Sequence, residues 1–196
     1  MYTNEAQAAA AILIAGAVMN YGYALAAQAL SVPVGIEFVI VAYCTVVVLV
    51  PLRLLEVLAI GIISGFLNIV TSPAHIATIA GGEVFSSAGL MAVVNLLSEP
   101  AGILVCFAAF AWLAGSRVRT AAPFAAAFVA TAASGLVYLA VIVLLNPGHI
   151  TDWPAYTAGF LIRVGLAAIT NAIVVQAIVL AAGSRVKAFL TDRAGS

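Results

Sequence analysis

Charge is what this sequence has least of. Asp, Glu, Lys and Arg make up 7% of its 196 residues and sum to zero net charge, where a soluble domain carries about 25% charged residues. So few charges cannot cover a soluble surface, and a neutral chain offers no field to nucleic acid. Cysteine is nearly absent too. Cys44 and Cys106 both sit in apolar runs, which suits packed thiols rather than a disulfide or a metal pair. No CxxC, no Cys/His spacing and no HExxH occurs, so neither a metal nor another cofactor is expected. There is no Walker A loop, so the chain does not hydrolyse ATP itself. Gly61-Ile62-Ile63-Ser64-Gly65 lacks the glycine two places before the serine that a hydrolase elbow needs. His75 and His149 stand alone in loop-like stretches. Gating charges and a pore signature are missing, and an enzyme is not expected. The opening MYTNEAQ has no basic n-region, so the first apolar run is expected to be a permanent span.

Apolar residues fill the space that charge leaves. They make up 65% of the chain, and the mean hydropathy is +1.23. A helical crossing takes about 20 mostly apolar residues. Six runs qualify or come close: about 6–30, 35–50, 54–70, 88–114, 123–145 and 157–182. The second and third are short and meet in a tight turn at Pro51-Leu52-Arg53. The alternating strands of a membrane barrel are absent. The expected fold is all-α, one transmembrane domain over 1–196, built as a six-helix polytopic bundle. The tail GSRVKAFLTDRAGS reads as a short amphipathic or frayed end.

Orientation follows from lysine and arginine in the short loops. Six of the seven, Arg53, Arg117, Arg119, Arg185, Lys187 and Arg193, fall on one side of a six-span path. That side is expected to be cytoplasmic, with both chain ends there, in a cell membrane. The outer side then receives 31–34, the long connector 71–87, and 146–156, where Trp153 and Tyr156 suit the headgroup level. GSRV occurs at 115–118 and at 183–186, each time after an inward exit. It marks either a duplicated half or two similar stop-transfer sites.

The seventh cation, Arg163, lies inside the sixth span. Ionisable residues in lipid are costly, and each is a site candidate. Glu99 lies about 11 residues into span four, near the midplane at 1.5 Å per residue. Pro100 follows it and loosens the local backbone, and Asn95 is one turn away on the same face. Arg163 sits roughly 7 Å from the Glu99 level. Two readings stay open: an ion pair bracing spans four and six, and a polar pocket open to the outside. Other polar residues gather in the outer half: Asn20, Tyr21, Tyr23, Gln28, Glu37, Tyr43, Asn68, Ser134, Tyr138 and, deeper, Asn171. The candidate substrate-binding set is Tyr23, Asn68, Asn95, Glu99, Tyr138, Arg163 and Asn171. The inner half is mostly small and aliphatic. There Ala6, Ala10, Ala11 and Ala15 in span one, and Gly61-x-x-x-Gly65 in span three, permit close helix approach, within the chain or against a partner.

Three stretches carry a family resemblance. AQAAAAILIAG (6–16), VPVGIEFVIVAY (32–43) and NLLSEPAGILV (95–105) resemble parts of the substrate-binding (S) components of energy-coupling factor (ECF) vitamin transporters. The first is similar to the Ala-x-x-x-Ala face with which those proteins dock their coupling subunit. The third resembles the acidic residue and proline of the fourth helix in thiamine-type members. The resemblance implies a high-affinity outward pocket, with energy from separate ATPases through a coupling subunit docked at Ala6, Ala10, Ala11 and Ala15. The metal-transporting members begin with a Met-x-His that Met1-Tyr2-Thr3 lacks. In this reading Arg163 contacts an anionic group, Glu99 and Asn95 meet a cationic or hydrogen-bonding part, and 71–87 forms a lid. The rival expectations are a structural membrane subunit braced by Glu99 and Arg163, and a proton-coupled small-solute transporter using Glu99.

Overall fold

The computed structural model describes residues 3–30, 36–71, 88–145 and 153–194. The 31–34 turn, the connector from 72 to 87 with His75, and the segment 146–152 with His149 lie outside the described residues. So do the side chains of Gln28, Trp153 and the tail from Ser184 onward. The described residues form helices and no strand: α1 (Thr3–Leu30), α2 (Phe38–Leu49), α3 (Leu54–Thr71), α4 (Ala88–Ala114), a 3-10 turn (Arg119–Ala121), α5 (Ala122–Leu145) and α6 (Trp153–Ala194).

Five helices are long and apolar enough to cross a membrane, over Asn4–Ala27, Leu54–Thr71, Ala92–Ala114, Arg119–Leu145 and Pro154–Gly183. Their outward faces are apolar as well: Leu55, Trp112 and Leu144 are more than three-quarters exposed, a surface that lipid solvates and water does not. The run expected as the second span differs. Its helix has 12 residues, a rise of about 18 Å against roughly 30 Å of hydrocarbon. Its sequence FVIVAYCTVVVL has no polar face, and a helix that is apolar all round belongs inside. All nine residues from Val39 to Val47 are buried, and α2 packs on each of the other five helices. It is the central post of the bundle.

Local chemistry sets the ends. After α2, Val50 is extended and Pro51 cannot continue a helix. The Glu56 carboxylate then accepts from the Arg53 N–H at 2.8 Å, closing the first turn of α3 as half of a capping box does. Gly61 and Gly65 make the α3–α4 seam. A Cβ on Gly61 would lie 2.8 Å from Pro100 Cα, and one on Gly65 would lie 3.0 Å from the Asn95 carbonyl. These contacts run in opposite sequence order, so α3 and α4 are antiparallel. The glycine pair therefore serves packing inside the chain. α6 extends as one helix to Ala194, through the stretch that the sequence suggested as a short amphipathic or frayed end. The two GSRV copies adopt different backbones: residues 115–118 form a turn, and 183–186 lie within α6.

A buried polar cluster as candidate functional site

Two helices, α3 and α4, bring Asn68, Asn95 and Glu99 to one point. The sequence places Asn95 and Glu99 four residues apart on α4, and the glycine seam carries Asn68 of α3 up against them. Asn68 Nδ2 donates to Glu99 Oε1 at 2.9 Å and to Asn95 Oδ1 at 3.1 Å. All three side chains are buried, Glu99 to 1% exposure. Pro100 has no N–H to give the carbonyl one turn back. One turn along α4 from Glu99, Gly102 lets α2 and α5 close in: a Cβ there would sit 2.5 Å from Tyr43 Oη and 3.0 Å from Ser134 Cβ. Tyr43 and Ser134 are near enough to Glu99 to act on it, as is Glu37, and Glu37 also approaches Asn68.

The cluster is not self-sufficient. Tyr43 Oη, Ser64 Oγ, Asn68 Oδ1, Ser98 Oγ and Glu99 Oε2 are buried and have no hydrogen-bond partner. Buried polar groups are nearly always paired, and in lipid no bulk water substitutes. Four of these five atoms are on α3 and α4.

The start of α2 lies beside this cluster and is held by two asparagines. A helix start leaves its first N–H groups without intrahelical partners. Asn20 Oδ1 accepts from the Phe38 N–H at 3.0 Å, while its amide donates to the Thr71 carbonyl and hydroxyl, both at 3.1 Å. Asn171 Oδ1 accepts from the Glu37 N–H at 3.2 Å, and its amide donates to Thr131 Oγ1 at 3.3 Å. One asparagine thus ties α1 and α3 to the start of α2, and the other ties α5 and α6 to it. Glu37 stands at the N-cap position without capping through its side chain.

Of the seven residues singled out by sequence, Asn68, Asn95 and Glu99 form the cluster. Asn171 borders it as a cap of α2. Tyr138 is within electrostatic reach of Glu37, and its ring stacks on Phe160 at 5.7 Å. Tyr23 packs edge-on against Phe38 at 5.9 Å. Arg163 is not brought in. It is exposed, its electrostatic neighbour is Tyr156, and no ion pair joins it to Glu99 among the described residues. The reason is helix rotation. α6 buries Ala167, Ala168, Asn171, Ala172 and Val175, and at about 100° per residue Arg163 falls on the flank of that face. The internal brace expected between Arg163 and Glu99 is therefore absent from this arrangement.

Tyr43 and Glu37 stand beside Glu99 although the sequence set omitted them; Ser64 lies one turn from Asn68 along α3, and Ser98 precedes Glu99 on α4. A polar residue beside Glu99 was the signal for Ser98. For Tyr43 and Glu37 it was their place at the head of an otherwise featureless apolar run. Ala6, Ala10, Ala11 and Ala15 are exposed on α1, while Gly16 turns inward onto Ala42 of α2.

Fold and cluster together define a helical multi-pass membrane protein with a polar centre. No family model matches the chain, and no curated protein or solved structure matches it either.

Proposed function

We propose that this protein is a membrane-embedded binding subunit for uptake of a small, vitamin-like molecule, working with a separate coupling subunit and ATPases in the cell membrane. The observation that carries the proposal is the set of unpartnered buried atoms around Asn68 and Glu99. An intramembrane polar group costs several kcal/mol unless it is paired, so a fold that keeps several unpaired at one place gains by binding a ligand there. In this reading the chain crosses six times, with α2 and its flanks as the second crossing and both ends on the inner side. The antiparallel succession of helices and the grouping of cations at one end support that path. The exposed alanines Ala6, Ala10, Ala11 and Ala15 leave a smooth strip on α1 for the coupling subunit. The resemblance to ECF substrate-binding components supports the same assignment.

The test is native mass spectrometry of the chain purified in mild detergent, with and without Glu99→Gln. A small molecule that accompanies the wild-type chain and is missing from the variant is the expected result. The absence of any bound molecule, together with no ligand-dependent thermal shift across a panel of small nutrients, would sink the proposal. A second reading draws on one observation, the closeness of Glu37 to Glu99, since paired carboxyls are a common feature of proton relays. Uptake into proteoliposomes driven by a proton gradient alone, without ATPases, would favour that reading.

A further inference from the structure

The cluster has two carboxyl groups and no cation to answer them. Glu99 is 1% exposed, and Glu37 lies within electrostatic reach of it. The cation placed nearest by sequence, Arg163, sits on the exposed flank of α6. Arg53, Arg117 and Arg119 lie in the turns that join α2 to α3 and α4 to α5, at the other end of the bundle. Among the described residues, then, nothing positive faces these acids. A charged acid left alone in this medium is costly.

The unpartnered atoms point the same way. Asn68 Oδ1 and Glu99 Oε2 are pure acceptors, and Tyr43 Oη, Ser64 Oγ and Ser98 Oγ each offer a lone pair as well as a proton. Two of the N–H groups at the start of α2, those of Glu37 and Phe38, are already taken by Asn171 and Asn20. The positive end of the α2 dipole is met by Glu37 at its own N-cap. Of these five atoms two can only accept and three can do either, a balance that suits a cation better than an anion. No group of three or more His, Cys, Asp or Glu side chains gathers among the described residues. That weighs against a divalent metal, which takes more carboxylate ligands.

We infer that the cluster binds a compact monovalent cation, a protonated amine or an alkali ion, with Glu99 as its counter-charge and Asn68 Oδ1 and Tyr43 Oη completing the shell. This rests on the reading of the cluster as a ligand site and names the charge of the group it recognises.

The experiment is equilibrium binding of radiolabelled methylammonium and of radiolabelled sodium to the purified full-length chain, each in competition with the other. One of the two should bind saturably at a single site, and the competition tells amine from alkali ion. Glu99→Gln should weaken that binding by about tenfold or more. Tyr43→Phe, which removes one hydroxyl and keeps the ring and its packing, should weaken it severalfold. Arg163→Gln should leave it unchanged. The inference is overturned if the wild-type chain binds neither cation, or if both Glu99→Gln and Tyr43→Phe bind as the wild type does. If instead a neutral or anionic molecule copurifies and is lost from Tyr43→Phe, the cation is wrong and the ligand site stands. If nothing binds or copurifies, both fail.

Discussion

Asn68 donates its amide to one oxygen of Glu99 at 2.9 Å, and the other oxygen of Glu99 receives nothing. The bond fixes where the carboxyl points; the vacant oxygen is what remains for a ligand. A half-satisfied network of this kind costs more than either a complete one or none, so its two halves should separate by mutation.

Glu99→Gln keeps the acceptor for Asn68 and nearly the same volume. It is expected to unfold within about 1 kcal/mol of wild type, because interhelical hydrogen bonds in membranes contribute about that much. Glu99→Ala removes the acceptor and leaves a gap, and is expected to lose roughly 2 kcal/mol or more. Thermal unfolding in detergent measures both. Equal losses from the two variants would mean that the Asn68 bond does not position the carboxyl.

Tyr43→Phe and Ser98→Ala delete buried hydroxyls that have no well-formed hydrogen bond. Removing an unsatisfied buried group relieves its desolvation penalty. Each variant is expected to match wild-type stability or exceed it by up to about 1 kcal/mol, while ligand binding falls. Stability that rises as binding falls separates a ligand site from a structural strut, since a strut would lose stability first. A clear drop in melting temperature for both would count against the site.

This contrast also shows how far sequence could reach. Hydropathy alone located α1, α3, α4, α5 and α6, because a run of apolar residues with cationic ends has one stable home. It also found Glu99, Asn95 and Asn68, since polar residues in such runs stand out. It showed α2 as a short run, but nothing in FVIVAYCTVVVL says that five neighbours surround it. That centrality is why Tyr43 and Glu37 matter, and it is a property of the assembled bundle. Arg163 failed for a related reason. Spacing gives a residue's depth along its own helix, but rotation about the axis is set by packing, and α6 turns its Ala167–Val175 face inward instead.

The two asparagine caps on α2 predict a specific pattern of coupling. Asn20→Ala removes the acceptor for the Phe38 N–H and two bonds to Thr71. Asn171→Ala removes the acceptor for the Glu37 N–H and one bond to Thr131. Losing a cap costs about 0.5–2 kcal/mol, and Asn20→Ala is expected to cost more. Both hold the same first turn, so once one is lost the turn frays and the other has less to hold. The double variant is therefore expected to lose less than the sum of the singles. Strict additivity in a double-mutant cycle would show that the two caps act on independent elements.

Two sets of small residues should respond in opposite ways to enlargement. Gly65 faces the α4 backbone, where even a methyl would lie 3.0 Å from the Asn95 carbonyl and 3.2 Å from Leu96 Cα. Gly65→Val must push α3 off α4 and with it carry Asn68 away from Glu99. A loss of about 1–3 kcal/mol is expected from the overpacking, and ligand binding should fall with it. Ala11 and Ala15 are exposed on α1, so Ala11→Leu and Ala15→Leu meet no neighbour within the chain. Their melting temperatures and ligand binding should equal wild type. Copurification with an ECF coupling subunit, where the two are coexpressed, should decrease, because the enlarged side chains hold the partner helix away. If the alanine variants instead destabilise the isolated chain, the strip is not free within it; if they leave coexpressed assembly intact, the docking face lies elsewhere.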